Sequence, residues 1–238
     1  MWRRPSALAW CVTLALRGDV CGSLPTGPPD VSSYTDAPRP LSFRLSVQPG
    51  GPAFRITVRP HLVKVTNDLV PAGDIEVARC SDGRRLQLLT IMASQPINFP
   101  ATFTTSDVNF DGYLDFSVLA EFGGTFGAQS WWIYDPAGGR FVQNELTCEL
   151  RKLGNNGYHI DPKKHEIIIE NLLAVCPSLI DRYRLEGDRL VLIHHETGFQ
   201  NSETVCTVTY SDLTHGTLHE TGQRRFIDGK PVKPTTAR

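Results

Sequence analysis

Apolar and polar residues alternate along the first regular part of the chain. Apolar side chains occupy every second position in residues 41–47 and again in residues 54–58, and a Gly-Gly-Pro turn at residues 50–52 separates the two runs. A period of two is typical of a strand with one buried face. The pattern therefore predicts a β-hairpin, and residues 75–92 predict a second hairpin around the Ser-Asp-Gly turn at residues 81–83.

The second half of the chain repeats one unit of strand, tight turn and strand. The units occupy residues 131–142, 158–169 and 183–193, about 26 residues apart, and a further set of strands follows in residues 205–229. No helical pattern lies between the units. The repeat predicts an all-β antiparallel array, either a propeller or a long meander.

One stretch between these halves carries the candidate chemistry. Residues 107–115 read Asp-Val-Asn-Phe-Asp-Gly-Tyr-Leu-Asp, the pattern of the first nine positions of the calcium loop of EF-hands. Alternate oxygen-bearing side chains on a tightly wound loop can surround one hard cation, and Gly112 allows the sharp reversal. The predicted calcium ligands are Asp107, Asn109, Asp111, the backbone carbonyl of Tyr113, and Asp115.

The same stretch departs from an EF-hand in two ways. The twelfth position, where a bidentate Glu is usual, is Val118, and the flanking residues favour strands over helices. We therefore expect a calcium loop between strands. The alternative is an Asx-rich turn without metal, since Asp, Asn and Gly are common in turns.

The amino-terminal part predicts export. Residues 1–23 combine Arg3, Arg4 and a short apolar stretch, the pattern of a secretory signal and too short to span a bilayer. Cys21 is a candidate for lipid attachment, although the residues before it match a lipid-attachment site poorly. Residues 24–40 contain five prolines and predict a linker, so the folded domain is expected to be residues 41–238.

Charge and cysteine content narrow the choice of function. The 238 residues have a net charge of -1 and no basic run, so neither composition nor pattern favours nucleic-acid binding. Outside the predicted signal, four cysteines allow two disulfides with three connectivities. We favour Cys176 with Cys206, and then Cys80 with Cys148. No Cys-x-x-Cys spacing predicts a zinc or redox site.

No motif predicts an enzyme. The sequence lacks Gly-x-Ser-x-Gly, His-Glu-x-x-His and a phosphate loop. A glycine-rich loop follows the calcium loop, and we interpret it either as a plain hairpin connection or as a partner-binding tip with an exposed aromatic anchor. The residues of that tip are Gly124, Thr125 and Phe126.

Three motifs carry a resemblance to a known family. They are residues 107–116, Phe-Gly-Gly-Thr-Phe-Gly at 122–127, and Trp-Ile-Tyr-Asp-Pro-x-x-Gly-Arg-Phe at 132–141. They resemble the Gram-negative periplasmic proteins that hold a calcium loop in a small, irregular five-bladed β-propeller. One member of that family is an immunity lipoprotein that inhibits a type IV-secreted, lysozyme-like effector. The resemblance covers roughly residues 102–209, because residues 183–193 and 206–209 look like the family's downstream blades. It implies about five short blades and calcium at the ligands named above.

The expected function is that of an exported, calcium-stabilised binding protein of the Gram-negative cell envelope, periplasmic or secreted, and not of an enzyme. Its expected partner is a lysozyme-like peptidoglycan hydrolase, which it would inhibit. A carbohydrate-active enzyme or sugar-binding propeller module is one alternative, since propellers carry sites at their centre. A structural cell-envelope protein is another.

Overall fold

The computed structural model describes residues 19–27, 40–65, 68–92, 103–123, 126–153, 158–171 and 179–232. Within these ranges the strands form three antiparallel sheets, and in each sheet the strand order follows the sequence. Each sheet is therefore an up-and-down meander joined by hairpins.

The first sheet contains the two hairpins that the alternation predicts. Buried and half-buried residues alternate along its first strand, so one face of the sheet is apolar. Phe43 pairs with Ile56, and Ile56 with Val77, which places these three side chains in one row on that face. The strands are β1 (Leu41–Ser46), β2 (Ala53–Val65), β3 (Asp68–Arg79) and β4 (Arg85–Met92).

The second sheet begins beside the predicted calcium loop. Asp115 is both the last residue of the loop and the first residue of a strand, so the loop leads directly into the sheet. The strands are β5 (Phe103–Ser106), β6 (Asp115–Gly123), β7 (Phe126–Asp135) and β8 (Arg140–Val142).

The third sheet holds seven strands in the described residues. It contains the later repeat units, each of which has its tight turn: the turns follow residues 161, 186 and 227. The strands are β9 (Tyr158–Asp161), β10 (Glu166–Asn171), β11 (Leu179–Glu186), β12 (Arg189–Gln200), β13 (Val205–Thr214), β14 (Thr217–Ile227) and β15 (Lys230–Pro231).

The all-β class and the antiparallel meander are confirmed. The two four-stranded sheets have the strand number and order of propeller blades. The third sheet runs without interruption from β9 to β15, so the expected division of the second half into short blades is not seen. A five-bladed propeller stays a prediction.

One helix corrects the expectation of a repeat without helices. Helix α1 (Glu145–Lys152) lies between the first and second repeat units. Asn144 caps it: the side chain of Asn144 accepts a hydrogen bond from the backbone N–H of Thr147, and the hydroxyl of Thr147 accepts one from the backbone N–H of Asn144. This reciprocal pair satisfies two N–H groups that a helix start would otherwise leave open.

Two apolar cores lie on the two sides of the second sheet. Core 1 packs β1–β4 against one face, with Trp132 and Tyr134 of β7 inside it. Core 2 packs α1 and β10 against the other face, with Trp131 and Ile133 of β7 inside it. Since successive strand residues face opposite sides, one tryptophan of the pair enters each core.

Residues 19–27 form a segment that packs on the first sheet, which we call the amino-terminal strap. Cys21 is bonded to Cys80 at the end of β3, and Asp19 forms an ion pair with Arg44 on β1. Thr26 forms a parallel β-bridge with Arg44, and the backbone N–H and C=O of Arg44 make hydrogen bonds with the strap. The strap thus covers part of the open edge of β1.

The strap corrects two expectations and bears on a third. Cys80 pairs with Cys21, so the predicted bond from Cys80 to Cys148 is wrong, and Cys148 is a free, exposed cysteine. Lipid attachment at Cys21 is wrong for this disulfide-bonded form, because the sulfur that would carry the lipid is already bonded. The predicted signal boundary after residue 23 lies inside the strap, and a cut there would remove Cys21 and its disulfide.

The other predicted disulfide involves a residue outside the described ranges. Cys206 is disulfide-bonded, and Cys176, its predicted partner, is not among the described residues. No helix in the described part of the chain is long and apolar enough to cross a membrane.

Candidate calcium loop

Asp107 organises the start of the loop through its carboxylate. One oxygen accepts the backbone N–H of Asp111 at 3.1 Å, and the other accepts that of Gly112 at 2.9 Å. Gly112 has a φ of 88°, a left-handed conformation that glycine adopts without a steric penalty. The carboxylate therefore fixes the reversal that the sequence pattern predicts.

Asn109 and Asp111 lie on the same turn. The side-chain oxygen of Asn109 accepts the N–H of Asp111 at 3.3 Å, and its amide nitrogen donates to the Asp111 carboxylate at 2.9 Å. The other oxygen of Asp111 accepts the N–H of Tyr113 at 2.9 Å. Asp107, Asn109 and Asp111 thus lie together on one turn, with Tyr113 next to them, and their role as calcium ligands stays a prediction.

Asp115 has a different environment. It is fully buried, and its two oxygens accept the N–H groups of Val108 at 2.9 Å and of Tyr134 at 2.8 Å. The first bond ties the start of the loop to its end, and the second ties that end to β7. Burial raises the pKa of Asp115 to about 7, and the two N–H donors offset this only in part.

The residues between the ligands anchor the loop in both cores. Val108 is fully buried in core 2, and Phe110 packs against the same core. Tyr113 and Leu114 pack against core 1, and the N–H of Leu114 bonds to the carbonyl of Val47 at 2.7 Å. The loop is therefore a junction between the cores and not a surface appendage.

A ring stack joins the loop to the third sheet. The rings of Phe110 and His165 lie 4.9 Å apart and almost parallel, with an angle of 10°. His165 belongs to the turn between β9 and β10. Phe110 has a φ of 60° and His165 a φ of 55°, conformations that are costly for residues other than glycine. The surrounding contacts hold both backbones in these conformations.

The donor set fits a hard cation in its chemistry. Three carboxylates lie within nine residues, and no lysine or arginine forms an ion pair with them in the described structure. Burial, followed by the charge of Asp111, raises the pKa of Asp107. A bound cation would offset this repulsion and desolvation.

The arrangement also shows what a cation would have to displace. Asp107, Asp111 and Asp115 do not all bring oxygens within 4.8 Å of one another, and Asp111 is held by the amide of Asn109. Asp111 and Asn109 would have to turn towards the ion. Both oxygens of Asp115 already accept N–H groups, so its role is to brace the loop, with any contact to the ion made through remaining lone pairs or water.

Another group of side chains in the described residues is spaced like a metal site, but its atoms are not free to bind a metal. Asp19, Cys21 and Cys80 bring their ligand atoms within 4.8 Å of one another. The two sulfurs form a disulfide and Asp19 pairs with Arg44. No thiolate is left to bind an ion.

The predicted partner-binding tip is only partly described. Gly124 and Thr125 lie outside the described residues. Phe126 begins β7, and the exposure of its ring is not described, so the tip stays a prediction.

A polar cluster on the third sheet was not predicted. His194 Nδ1 lies 2.6 Å from Asp212 and its Nε2 lies 3.3 Å from Glu196. Asp212 also accepts the hydroxyl of Thr221 at 2.7 Å. His195 faces the other side of β12 and lies 2.6 Å from Asp181. The bond with His194 is the main reason that the pKa of Asp212 is lowered.

A comparison with solved structures finds one fold relative. It is the structure of a Xanthomonas type IV secretion system related protein, with a TM-score of 0.50 and 15% sequence identity over 77% of this chain and 99% of the other. At that identity the match shows a shared fold alone. No protein-family model and no curated protein matches the sequence.

Proposed function

We propose that this chain is an exported binding protein, stabilised by calcium, that inhibits a lysozyme-like peptidoglycan hydrolase as an immunity partner. One observation carries the calcium part. The loop at residues 107–115 matches the first nine positions of a calcium loop and is built into both apolar cores and the third sheet.

The proposed ion is held by the carboxylates of Asp107 and Asp111, the side-chain oxygen of Asn109 and the backbone carbonyl of Tyr113. Asp115 closes the loop from inside. Calcium would supply charge neutralisation and rigidity and no chemistry of its own, since the loop lies between strands and has no helix pair to open.

Two observations support a role in the cell envelope of a Gram-negative bacterium. The fold relative is a type IV secretion system related protein, which supports an association with secretion. The disulfides at Cys21–Cys80 and at Cys206 favour an oxidising compartment, and the periplasm is one. The predicted export signal is residues 1–23.

We propose that the protein acts by binding and not by catalysis. The resemblance of roughly residues 102–209 to a family with an immunity lipoprotein is the basis for this part of the proposal. We also propose that β1–β4 and β5–β8 are two blades of an irregular propeller, on the basis of their strand number and order.

The test is a lysis assay with purified muramidases and cell-wall substrate. We expect lysis to slow at an equimolar ratio of the protein to a susceptible enzyme in calcium. A matched variant, Asp111→Ala, should inhibit less after warming because its fold is less stable. Lysis that is unchanged across a panel of lysozyme-like hydrolases contradicts the inhibitor proposal, and release of sugar by the protein alone would favour the carbohydrate-active alternative.

A further inference from the structure

The sequence contains three Asp-Gly pairs, and all three lie in the described residues. They are Asp82–Gly83, Asp111–Gly112 and Asp228–Gly229. An Asp that precedes a glycine can react with its own backbone: the glycine nitrogen attacks the side-chain carboxyl carbon, and glycine, which has no Cβ, offers little steric resistance. The reaction requires that both the nitrogen and the carboxyl group are free to approach each other.

The pair Asp82–Gly83 is held by the turn between β3 and β4. One oxygen of the Asp82 carboxylate accepts the backbone N–H of Arg84 at 3.0 Å, and the other lies 3.4 Å from Nη1 of Arg79. The N–H of Gly83 donates to the carbonyl of Arg79 at 2.9 Å. Both reacting groups are therefore occupied.

The pair Asp111–Gly112 is held in the same way by the candidate calcium loop. The N–H of Gly112 donates to the Asp107 carboxylate at 2.9 Å. The two oxygens of Asp111 accept the N–H of Tyr113 and the amide of Asn109, each at 2.9 Å. The chain itself makes these bonds, so they do not depend on the proposed ion.

The pair Asp228–Gly229 has a different environment. These two exposed residues form the tight turn between β14 and β15, with φ of 51° and 72°, which are typical of a two-residue hairpin turn. Within the described residues the Asp228 carboxylate has no hydrogen bond or ion pair, and the Gly229 N–H has no acceptor. Strand β15 has only two residues, so few bonds keep the turn closed.

We propose that Asp228–Gly229 is a site of spontaneous isoaspartate formation, and that the hydrogen bonds of the other two pairs protect them. The Gly229 nitrogen forms a bond to Cγ of the protonated Asp228 carboxyl, and the N–H proton leaves with the carboxyl hydroxyl as water. The product is a cyclic succinimide. Water then opens the ring at the α-carbonyl, which leaves the main chain linked through the former side-chain carboxyl.

Isoaspartate at this turn changes the end of the third sheet. The main chain becomes longer by one methylene group, and the free carboxylate moves to the α-carbon. A two-residue turn cannot take up the extra atom and still keep Ile227 opposite Lys230. We expect β15 to separate from β14 while the rest of the fold stays in place, since β15 pairs with β14 alone in the described structure.

The test measures isoaspartate formation at the three pairs in the full chain, by peptide mapping and by methyl transfer from an isoaspartyl methyltransferase. The chain is incubated in chelator, once folded below its melting temperature and once in denaturant. In denaturant the three pairs should react at similar rates. In the folded chain Asp228 should react much faster than Asp82 and Asp111. A folded chain that reacts at Asp228 as slowly as at the other two pairs, or equally fast at all three, overturns the proposal.

Two variants isolate the turn. Asp228→Asn forms the same succinimide with loss of ammonia, so the folded variant should convert from amide to acid at this residue. Asp228→Gly removes the carboxyl but keeps a turn that two glycines favour, so it should give no product there. Hydrogen exchange at Ile227 and Lys230 should speed up in the aged wild type and stay unchanged in Asp228→Gly. An Asp228→Asn variant that does not deamidate when folded, or a methyl-accepting product at this turn in Asp228→Gly, contradicts the assignment.

Discussion

Asp212 is a residue whose environment predicts a pH dependence. Its pKa is lowered, first by the bond with His194 and then by the Thr221 hydroxyl. A carboxyl whose folded pKa lies below its unfolded value, about 3.9, contributes stability above the unfolded pKa and loses it as the pH falls through the folded value. The carboxylate of Asp212 should therefore stabilise the protein at neutral pH and not in acid.

The measurement compares wild type with Asp212→Asn in thermal melts from pH 7 to pH 2. We expect the wild type to melt higher near neutral pH, the difference to begin to shrink below about pH 4, and the difference to disappear once the pH is below the lowered pKa of Asp212. Glu203→Gln, an exposed acid outside the cluster, reports the general effect of losing one negative charge. A difference between wild type and Asp212→Asn that is constant across the range would contradict this account.

The ring stack of Phe110 on His165 provides a second test at the scale of single residues. Phe110→Ala should lower the free energy of unfolding by about 2 kcal/mol, less than for a fully buried Phe, because Phe110 is half-buried. His165→Asn removes the ring but keeps a residue that tolerates positive φ. The double variant should show a coupling of about 0.5–1.5 kcal/mol in a denaturant cycle. If the losses in the free energy of unfolding of the two single variants simply add, the contact between the rings contributes nothing to stability, which would contradict this prediction.

At the scale of elements, the strap depends on its disulfide. Cys21 and Cys80 are 59 residues apart, and a loop of that length corresponds to about 4 kcal/mol of chain-entropy stabilisation. The variant with both cysteines changed to Ser should lose stability of that order, while Cys148→Ser should be neutral because Cys148 is exposed and free.

Peptide mapping of the exported protein without reduction checks the same element. We expect a peptide linking Cys21 to Cys80, an alkylated Cys148 and a bonded Cys206. A mature chain that starts after Cys21, or a bond between Cys80 and Cys148, would show that the strap is not part of the native protein.

The sequence predicts the hairpins because strand alternation and turn residues are local signals. It predicts the loop at residues 107–115 for the same reason. The helix at Glu145–Lys152 has eight residues, too few for a clear helical period, although Asn144 and Glu145 at its start are helix signals. No local pattern shows that Cys21 reaches Cys80 or that β9–β15 share one sheet, because these contacts join distant segments.

The same limit applies to the candidate site. The ligand positions follow from the motif, whereas the burial of Asp115 and the contact of Phe110 with His165 arise only from packing. The sequence does carry one sign of this packing. Val108 and Phe110 are apolar residues inside a polar loop, which indicates that one side of the loop faces a core.

At the scale of the molecule, the loop connects all three sheets. Leu114 bonds to Val47 beside the first sheet, Asp115 bonds to Tyr134 in the second, and Phe110 stacks on the turn of the third. An ion bound here should raise the stability of the whole fold. If only the folded state binds, calcium at about 100 times its dissociation constant adds roughly 2.7 kcal/mol.

The most direct test is a thermal melt of the wild type and of Asp111→Ala in calcium, in magnesium and in chelator. Calcium should raise the wild-type melting temperature, at concentrations near the extracellular range of about 10⁻⁴–10⁻³ M because the bidentate twelfth ligand is missing. Magnesium should do so poorly, since it prefers a smaller octahedral shell and keeps its water, and Asp111→Ala should not respond. A wild-type melting temperature that is the same in calcium and in chelator, with no ion in the purified protein, would contradict the calcium loop.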